Sequence, residues 1–146
     1  MDLGIRGKIA LVSASSRGLG RAIAEELAAE GANLVVCARG EEALSKTAGE
    51  IRKRSGVEVL DVAADVSDPA GLDRVVSAAF KKFGRVDILV TNSGGPPSGP
   101  FESLSPARAN HQVRALCREL LGNGSTKPFA ARCDERDFTA KPQIHS

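Results

Sequence analysis

The sequence predicts an α/β protein in which a parallel sheet is covered by helices on both faces. Apolar runs of strand length alternate with segments of helical periodicity, and such alternation is typical of βαβ units. The run over residues 33–38 is almost continuously apolar, as expected for a parallel strand buried on both faces. Because crossovers between parallel strands are right-handed, four strands favour the order 3-2-1-4 in a three-layer sandwich.

A strand, a loop of small residues and a helix form the first predicted unit. Residues 8–12 form an apolar run that predicts a buried strand, and residues 19–30 predict a helix that Gly31 is placed to end. One face of this helix is apolar and would pack on the sheet: Ile23, Ala24, Leu27 and Ala28.

The second and third strands follow after short breaks. Residues 33–38 predict the second strand, and residues 41–54 predict a helix with its inward positions at Leu44, Ala48 and Ile51. Gly56 then turns the chain into a third strand over residues 57–62. One face of that strand would carry Val57, Val59 and Asp61.

The most regular helical pattern lies before the fourth strand. Ser67, Asp68 and Pro69 are typical of a helix start, with a polar cap and a proline in the first turn. Apolar residues then recur at three- and four-residue spacing: Leu72, Val75, Val76, Ala79, Phe80 and Phe83. Gly84 would end the helix, and residues 86–90 predict the fourth strand.

The remaining residues divide the chain into three predicted regions. Residues 1–104 hold the α/β unit predicted above, and residues 105–121 predict one additional helix. Residues 122–146 show neither strand nor helix periodicity, so we expect a poorly ordered tail.

The composition is that of an ordinary globular protein, with 42% hydrophobic and 26% charged residues. A formal net charge of +2 gives no reason to expect nucleic acid or an acidic membrane as a partner. No apolar run approaches the ~20 residues that span a bilayer, and the first residues lack a signal-peptide pattern, so we expect a cytoplasmic protein. Three scattered cysteines predict neither a disulfide framework nor a metal site: Cys37, Cys117 and Cys133.

The loop between the first strand and the first helix is suited to bind a phosphate. The first N–H groups of a helix lack internal partners, and the helix dipole favours an anion beside them. Gly18 and Gly20 have no Cβ, so a pyrophosphate can approach the main chain and the helix can pack closely on the strand.

Residues 13–20 of this loop resemble the Thr-Gly-x-x-x-Gly-x-Gly segment of the short-chain dehydrogenase/reductase family. Ser13 replaces the threonine and keeps a hydroxyl group. Ala14 replaces the first glycine, and we expect it to have a negative φ because a side chain disfavours positive values. The resemblance implies a Rossmann-like fold and an oxidoreductase.

Further along the chain, Asp65 and Val66 resemble the Asp-Val pair of the family, whose aspartate contacts adenine. Asn92 and Gly94 match its Asn-Asn-Ala-Gly segment, which steadies the sheet and borders the cofactor. For these motifs a purely structural role is the alternative. The resemblance extends over about residues 5–104 and thus covers the cofactor half of a family member.

The resemblance implies NADP(H) as the cofactor, with NAD(H) less favoured. Arg39 follows the second strand, where no acidic residue would repel a 2′-phosphate, and Arg17 adds a second cation in the loop. The alternative is that both are solvated surface arginines. The implied cofactor-binding residues are Ser13, Ser15, Ser16, Arg17, Gly18, Leu19, Gly20, Arg39, Asp65, Val66, Asn92 and Gly94.

The catalytic pattern of the family has no counterpart here. Family members use a serine and a Tyr-x-x-x-Lys pair, in which tyrosine transfers a proton and lysine lowers its pKa. The sequence contains no tyrosine, so we assign no catalytic residue and leave open whether the chain is an enzyme.

Three hypotheses follow from the missing catalytic pattern. The first is an NADP(H)-binding fragment of a family member, truncated or frame-shifted after residue 104. The second is a non-catalytic NADP(H)-responsive module that pairs with another chain, and the third is a carbonyl reductase with another proton donor. An unpaired fourth strand would also favour oligomers through the open sheet edge.

Overall fold

The computed structural model describes residues 3–92, which form one parallel sheet with helices on both faces. The strands are β1 (Ile9–Ser13), β2 (Asn33–Ala38), β3 (Val59–Ala63) and β4 (Ile88–Val90). The helices are α1 (Gly18–Ala29), α2 (Glu41–Ser55) and α3 (Pro69–Phe83). All neighbouring strands are parallel and lie in the order β3-β2-β1-β4, which confirms the predicted topology.

Side chains alternate between two hydrophobic clusters, one on each face of the sheet. From β1, Ile9 and Leu11 pack on the α3 face, whereas Ala10 and Val12 pack on the face that α1 and α2 cover. Most strand residues are therefore buried whichever face they point to, and this burial explains their continuously apolar sequence. The predicted three-layer sandwich is confirmed.

Small residues form the inner face of α1. Gly20, Ala24 and Ala28 are its buried residues, whereas Ile23 and Leu27, which were predicted on the same face, are only half-buried. The small side chains bring the helix axis close to the sheet, and the larger residues then lie at the edges of the contact.

Local chemistry sets the ends of α2 and α3. The Asp68 carboxylate accepts a hydrogen bond from the Gly71 amide at 3.2 Å and thereby caps α3, whose first residue is Pro69. Gly56 and Gly84 follow the two helices with left-handed φ values of 71° and 74°. Both predicted endings are confirmed.

β2 has the predicted bounds, and the boundaries of the other three strands differ from the prediction by one or two residues. β4 begins at Ile88 instead of residue 86 because the Asp87 side chain takes part in the pairing: its carboxylate accepts from the Ile9 amide at 2.9 Å. β3 begins at Val59 instead of residue 57. Asp61 lies on the predicted face and forms an ion pair with Arg52 at 2.5 Å.

The prediction for Cys37 can be compared with the described residues. Cys37 is buried in β2, and burial raises the pKa of its thiol to about 12, as expected for an unreactive core residue. No helix within residues 3–92 is long and apolar enough to cross a membrane, and this range contains no metal-type cluster of His, Cys, Asp and Glu. Gly94, Cys117, Cys133, the helix 105–121 and the tail 122–146 lie outside the described residues.

Candidate functional site

The predicted site residues of the described range lie at one edge of the sheet. Ser13 ends β1, Arg39 follows β2, Asp65 lies two residues after β3, and Asn92 lies two residues after β4. Since all strands are parallel and Ser13 is in register with Cys37, their carboxyl ends meet at this edge. Open parallel sheets bind ligands at such an edge.

The amino-terminal end of α1 is open toward this edge. Arg17 precedes the helix in an extended conformation and makes no capping side-chain hydrogen bond, and no acidic residue lies in the first turn. Gly18 has a φ of 59°, and a Cβ placed there would meet no atom within 4 Å. A left-handed glycine with free space around it permits an anion to approach the first N–H groups of the helix.

Gly20 has a different task from Gly18. A Cβ at Gly20 would overlap the carbonyl group of Ala14 and would come within 2.8 Å of the Asn92 Nδ2 atom. The absence of a side chain therefore lets α1 start directly against the loop and the end of β4. This is the close packing that the sequence predicted for one of the two glycines.

Ala14 contradicts the expected backbone geometry. Its φ is 50°, so the alanine occupies the left-handed region that favours glycine, and the prediction of a negative φ is wrong. The carbonyl of Ala14 lies where a Gly20 side chain would be, and its neighbour Ser15 is fixed by hydrogen bonds. Tertiary contacts thus hold the residue in a conformation that its own side chain disfavours.

The Ser13 hydroxyl joins the ends of β1 and β4. It accepts a hydrogen bond from the Asn92 amide at 2.9 Å and lies 2.8 Å from the Asn92 carbonyl oxygen. Ser13 is only 1% exposed, so this hydroxyl acts within the fold. The contact fixes Asn92 beside Gly20.

Two further hydroxyls, both buried, form hydrogen bonds that fix the loop on its inner side. The Ser15 hydroxyl lies 3.1 Å from the Val12 carbonyl oxygen and 3.3 Å from that of Cys37, and the Ser15 amide donates to Cys37 at 3.1 Å. Thr47 of α2 donates to the Ser16 carbonyl at 3.0 Å. Sequence analysis missed Thr47 because it lies on the inward stripe of α2, where a polar residue gives no motif.

The cationic side chains lie at the surface of this edge. Arg17 and Arg39 are exposed, and so is Leu19, with 67% of its surface accessible. Hydrogen bonds from the hydroxyl and the amide of Ser67, at 2.5 and 2.9 Å, lower the pKa of Asp65, and the nearby charge of Arg39 lowers it further. The Asp65 carboxylate thus accepts hydrogen bonds within its own loop.

Val66 completes the adenine-side pair predicted by the sequence. It is half-buried and packs against the hydrophobic cluster on the α3 face. Its partner Asp65 makes local hydrogen bonds, so the alternative of a structural aspartate describes part of its role.

Comparison with known proteins gives a consistent match. The short chain dehydrogenase family matches residues 8–136. The 1,6-dihydroxycyclohexa-2,4-diene-1-carboxylate dehydrogenase of Pseudomonas putida is 38% identical over 116 residues, which are 78% of this chain and 42% of that protein. Among curated relatives of this kind, the chain spans less than half of their length.

Solved structures agree with this match. The L-sorbose reductase of Gluconobacter frateurii, solved with NADPH and L-sorbose, has a TM-score of 0.76 and 37% identity over 84% of this chain and 49% of that one. A short-chain dehydrogenase/reductase of Burkholderia phymatum, solved with NAD, has a TM-score of 0.69 and 32% identity over 82% of this chain and 46% of that one.

Proposed function

The chain belongs to the short-chain dehydrogenase/reductase family, and from that premise we propose that it is the NADP(H)-binding half of one of the family's oxidoreductases. The observation that carries the proposal is the start of α1, which has no side-chain cap and begins with Gly18 in a left-handed conformation. The residues there suit a pyrophosphate, because N–H groups and the helix dipole favour an anion and no side chain blocks it.

In this proposal each part of the cofactor has its own residues. The N–H groups after Arg17 would hold the pyrophosphate, and Arg39 would bind the 2′-phosphate that distinguishes NADP(H) from NAD(H). Asp65 and Val66 would border the adenine, and Asn92 would border the cofactor. We expect a preference for NADP(H) over NAD(H), because Arg39 would attract the 2′-phosphate.

The proposal concerns binding and positioning of the cofactor. A bound NADPH would supply a hydride for reduction, but the 146 residues contain no tyrosine to serve as the proton donor of the family pattern. In this proposal the chain's own groups bind the anion and orient the dinucleotide along the carboxyl ends of the strands. Residues suited to bind a cofactor, together with the lack of a tyrosine, favour the binding fragment over a reductase with another proton donor.

Calorimetry with purified protein tests the proposal. We expect NADPH to bind more tightly than NADH, and we expect Arg39→Asp to reverse or abolish the preference. Lys53→Asp is the matched control, because it makes the same charge change near the far end of α2, about 18 Å along the helix from Glu41. Equal affinity of the wild-type chain for the two cofactors would contradict the assignment.

We also propose that the chain self-associates through β4. Within residues 3–92, β4 has a strand neighbour on one side only, and Ile88, Leu89 and Val90 are half-buried. Unpaired N–H and C=O groups on such an edge are able to pair with another chain. Sedimentation should show oligomers at micromolar concentration, and Leu3→Lys, at an exposed position, should not change them. A monomer throughout the range would exclude the association.

A further inference from the structure

Two buried hydroxyls, which we call the loop brace, hold consecutive residues of the phosphate loop from the side away from solvent. They belong to Ser15, which is fully buried, and to Thr47, which is 2% exposed. The Ser15 hydroxyl reaches the carbonyl oxygens of Val12 and Cys37, so it ties the loop to the ends of β1 and β2. Thr47 ties the next residue, Ser16, to α2.

The loop brace acts on a segment that would otherwise relax. Ala14, directly before it, has the left-handed φ of 50°, which is unfavourable for a residue with a side chain. Arg17, directly after it, begins α1 without a side-chain cap. Only fixed neighbours keep such a loop in one conformation, and the loop brace fixes the two residues between Ala14 and Arg17.

We propose that Ser15 and Thr47 are positioning residues for dinucleotide binding, which hold the loop in its binding conformation before a ligand arrives. This inference rests on the proposed function. Neither hydroxyl needs to touch the cofactor, since both are buried behind the loop. Their effect is on the fraction of free chains with a competent loop, and the apparent dissociation constant varies inversely with that fraction.

Thr47→Val tests the proposal, because valine keeps the shape of threonine but cannot donate to the Ser16 carbonyl. NADPH affinity should fall about three- to tenfold, which corresponds to the loss of one hydrogen bond. Thr47→Ser retains a hydroxyl and should stay within about twofold of the wild type. Ser55→Ala is the matched control, because it removes a hydroxyl bond from α2 to the Ile51 carbonyl, at 2.8 Å, away from the loop.

The measurement separates positioning from simple stabilisation. Calorimetry is done at a temperature where every variant is fully folded, so a loss of global stability alone leaves the dissociation constant unchanged. Exchange of the Ser15 amide, which is bonded to the Cys37 carbonyl, should become faster in Thr47→Val without any ligand. Ser15→Ala, which keeps that amide bond, serves as the second variant if Thr47→Val does not fold.

The outcomes distinguish the two proposals. If the wild type binds NADPH and both Thr47→Val and Ser15→Ala bind it equally well, the loop brace has no positioning role and the proposed function stands. If the wild type binds neither NADPH nor NADH, the proposed function is wrong, and the positioning role is overturned with it.

Discussion

Ala14 stores conformational strain in the loop that leads to α1. An alanine with a φ of 50° has its Cβ close to the backbone, whereas glycine adopts the same angle without this cost. We therefore expect Ala14→Gly to raise the free energy of unfolding by about 1 kcal/mol, measured by urea denaturation. The gain is smaller than the full strain because glycine also loses more entropy on folding.

A second alanine-to-glycine change provides the control. Ala22 lies on the exposed side of α1, where glycine is a poorer helix former than alanine, so Ala22→Gly should lower stability by about 1 kcal/mol. The two substitutions are chemically identical and should have opposite signs. If Ala14→Gly is destabilising as well, the left-handed conformation of Ala14 does not exist in solution.

Asp65 should make the free energy of unfolding depend on pH. The hydroxyl and amide of Ser67 hold its pKa below the ordinary value of 3.8, so the folded state binds the proton less readily than the unfolded state. Its contribution is therefore fully present above pH 3.8 and is lost as pH falls through the lower folded value. Ser67→Ala should move the pKa of Asp65 upward.

An NMR titration of the Asp65 carboxyl group measures this effect directly. Ser77→Ala, which removes an exposed hydroxyl from α3, is the control and should leave the pKa of Asp65 unchanged. The stability difference between wild type and Ser67→Ala should be largest above pH 4 and smaller in stronger acid. An unchanged Asp65 titration in Ser67→Ala would mean that the Ser67 hydroxyl does not lower the pKa of the carboxyl group.

At the scale of the helices, glycines in α2 and α3 predict opposite responses to alanine. Gly49 lies within α2, and a Cβ there would meet nothing within 4 Å, so Gly49→Ala should stabilise the protein by about 1 kcal/mol. Gly71 lies in the first turn of α3, where a Cβ would overlap the Asp65 carbonyl group. Gly71→Ala should therefore destabilise, and thermal unfolding of both variants checks the pair. A stabilising Gly71→Ala would show that α3 can move away from Asp65 at little cost.

The elements could be predicted where local chemistry defines them. Gly56, Asp68 and Gly84 end or begin helices through their own backbone or side chain, and their positions were correct. The start of β4 could not be predicted, because the Asp87 carboxylate accepts from Ile9, 78 residues earlier in the chain. A side chain that takes the place of a backbone acceptor in a distant strand leaves no pattern in the neighbouring sequence.

The candidate site also contains residues that could be predicted from the sequence and residues that could not. Gly18 and Gly20 could be placed from their spacing between a strand and a helix, and the structure gives each a separate reason. The φ of Ala14 could not be predicted, since it depends on Ser15 and on the close approach of Gly20. Thr47 could not be found either, because its position on α2 is typical of the core.

For the whole molecule, the proposed cofactor site would supply binding alone, whereas catalysis also needs a proton donor. Hydride transfer to a carbonyl leaves negative charge on oxygen, which a positioned proton donor must meet. No tyrosine is present in the 146 residues, so the donor of the family pattern cannot come from this chain. We therefore expect the purified chain not to reduce carbonyls at rates typical of its family.

NADPH absorbance with a panel of ketones and β-ketoacyl thioesters measures that activity. Loss of the acid alone should lower the rate by about 10²–10⁴, and loss of substrate positioning should lower it further. Arg39→Asp serves as the control for contaminating host reductases, because activity that belongs to this chain should fall with its NADPH affinity while background activity should not. Turnover of about 1 per second or more, sensitive to Arg39→Asp, would mean that another residue of this chain donates the proton.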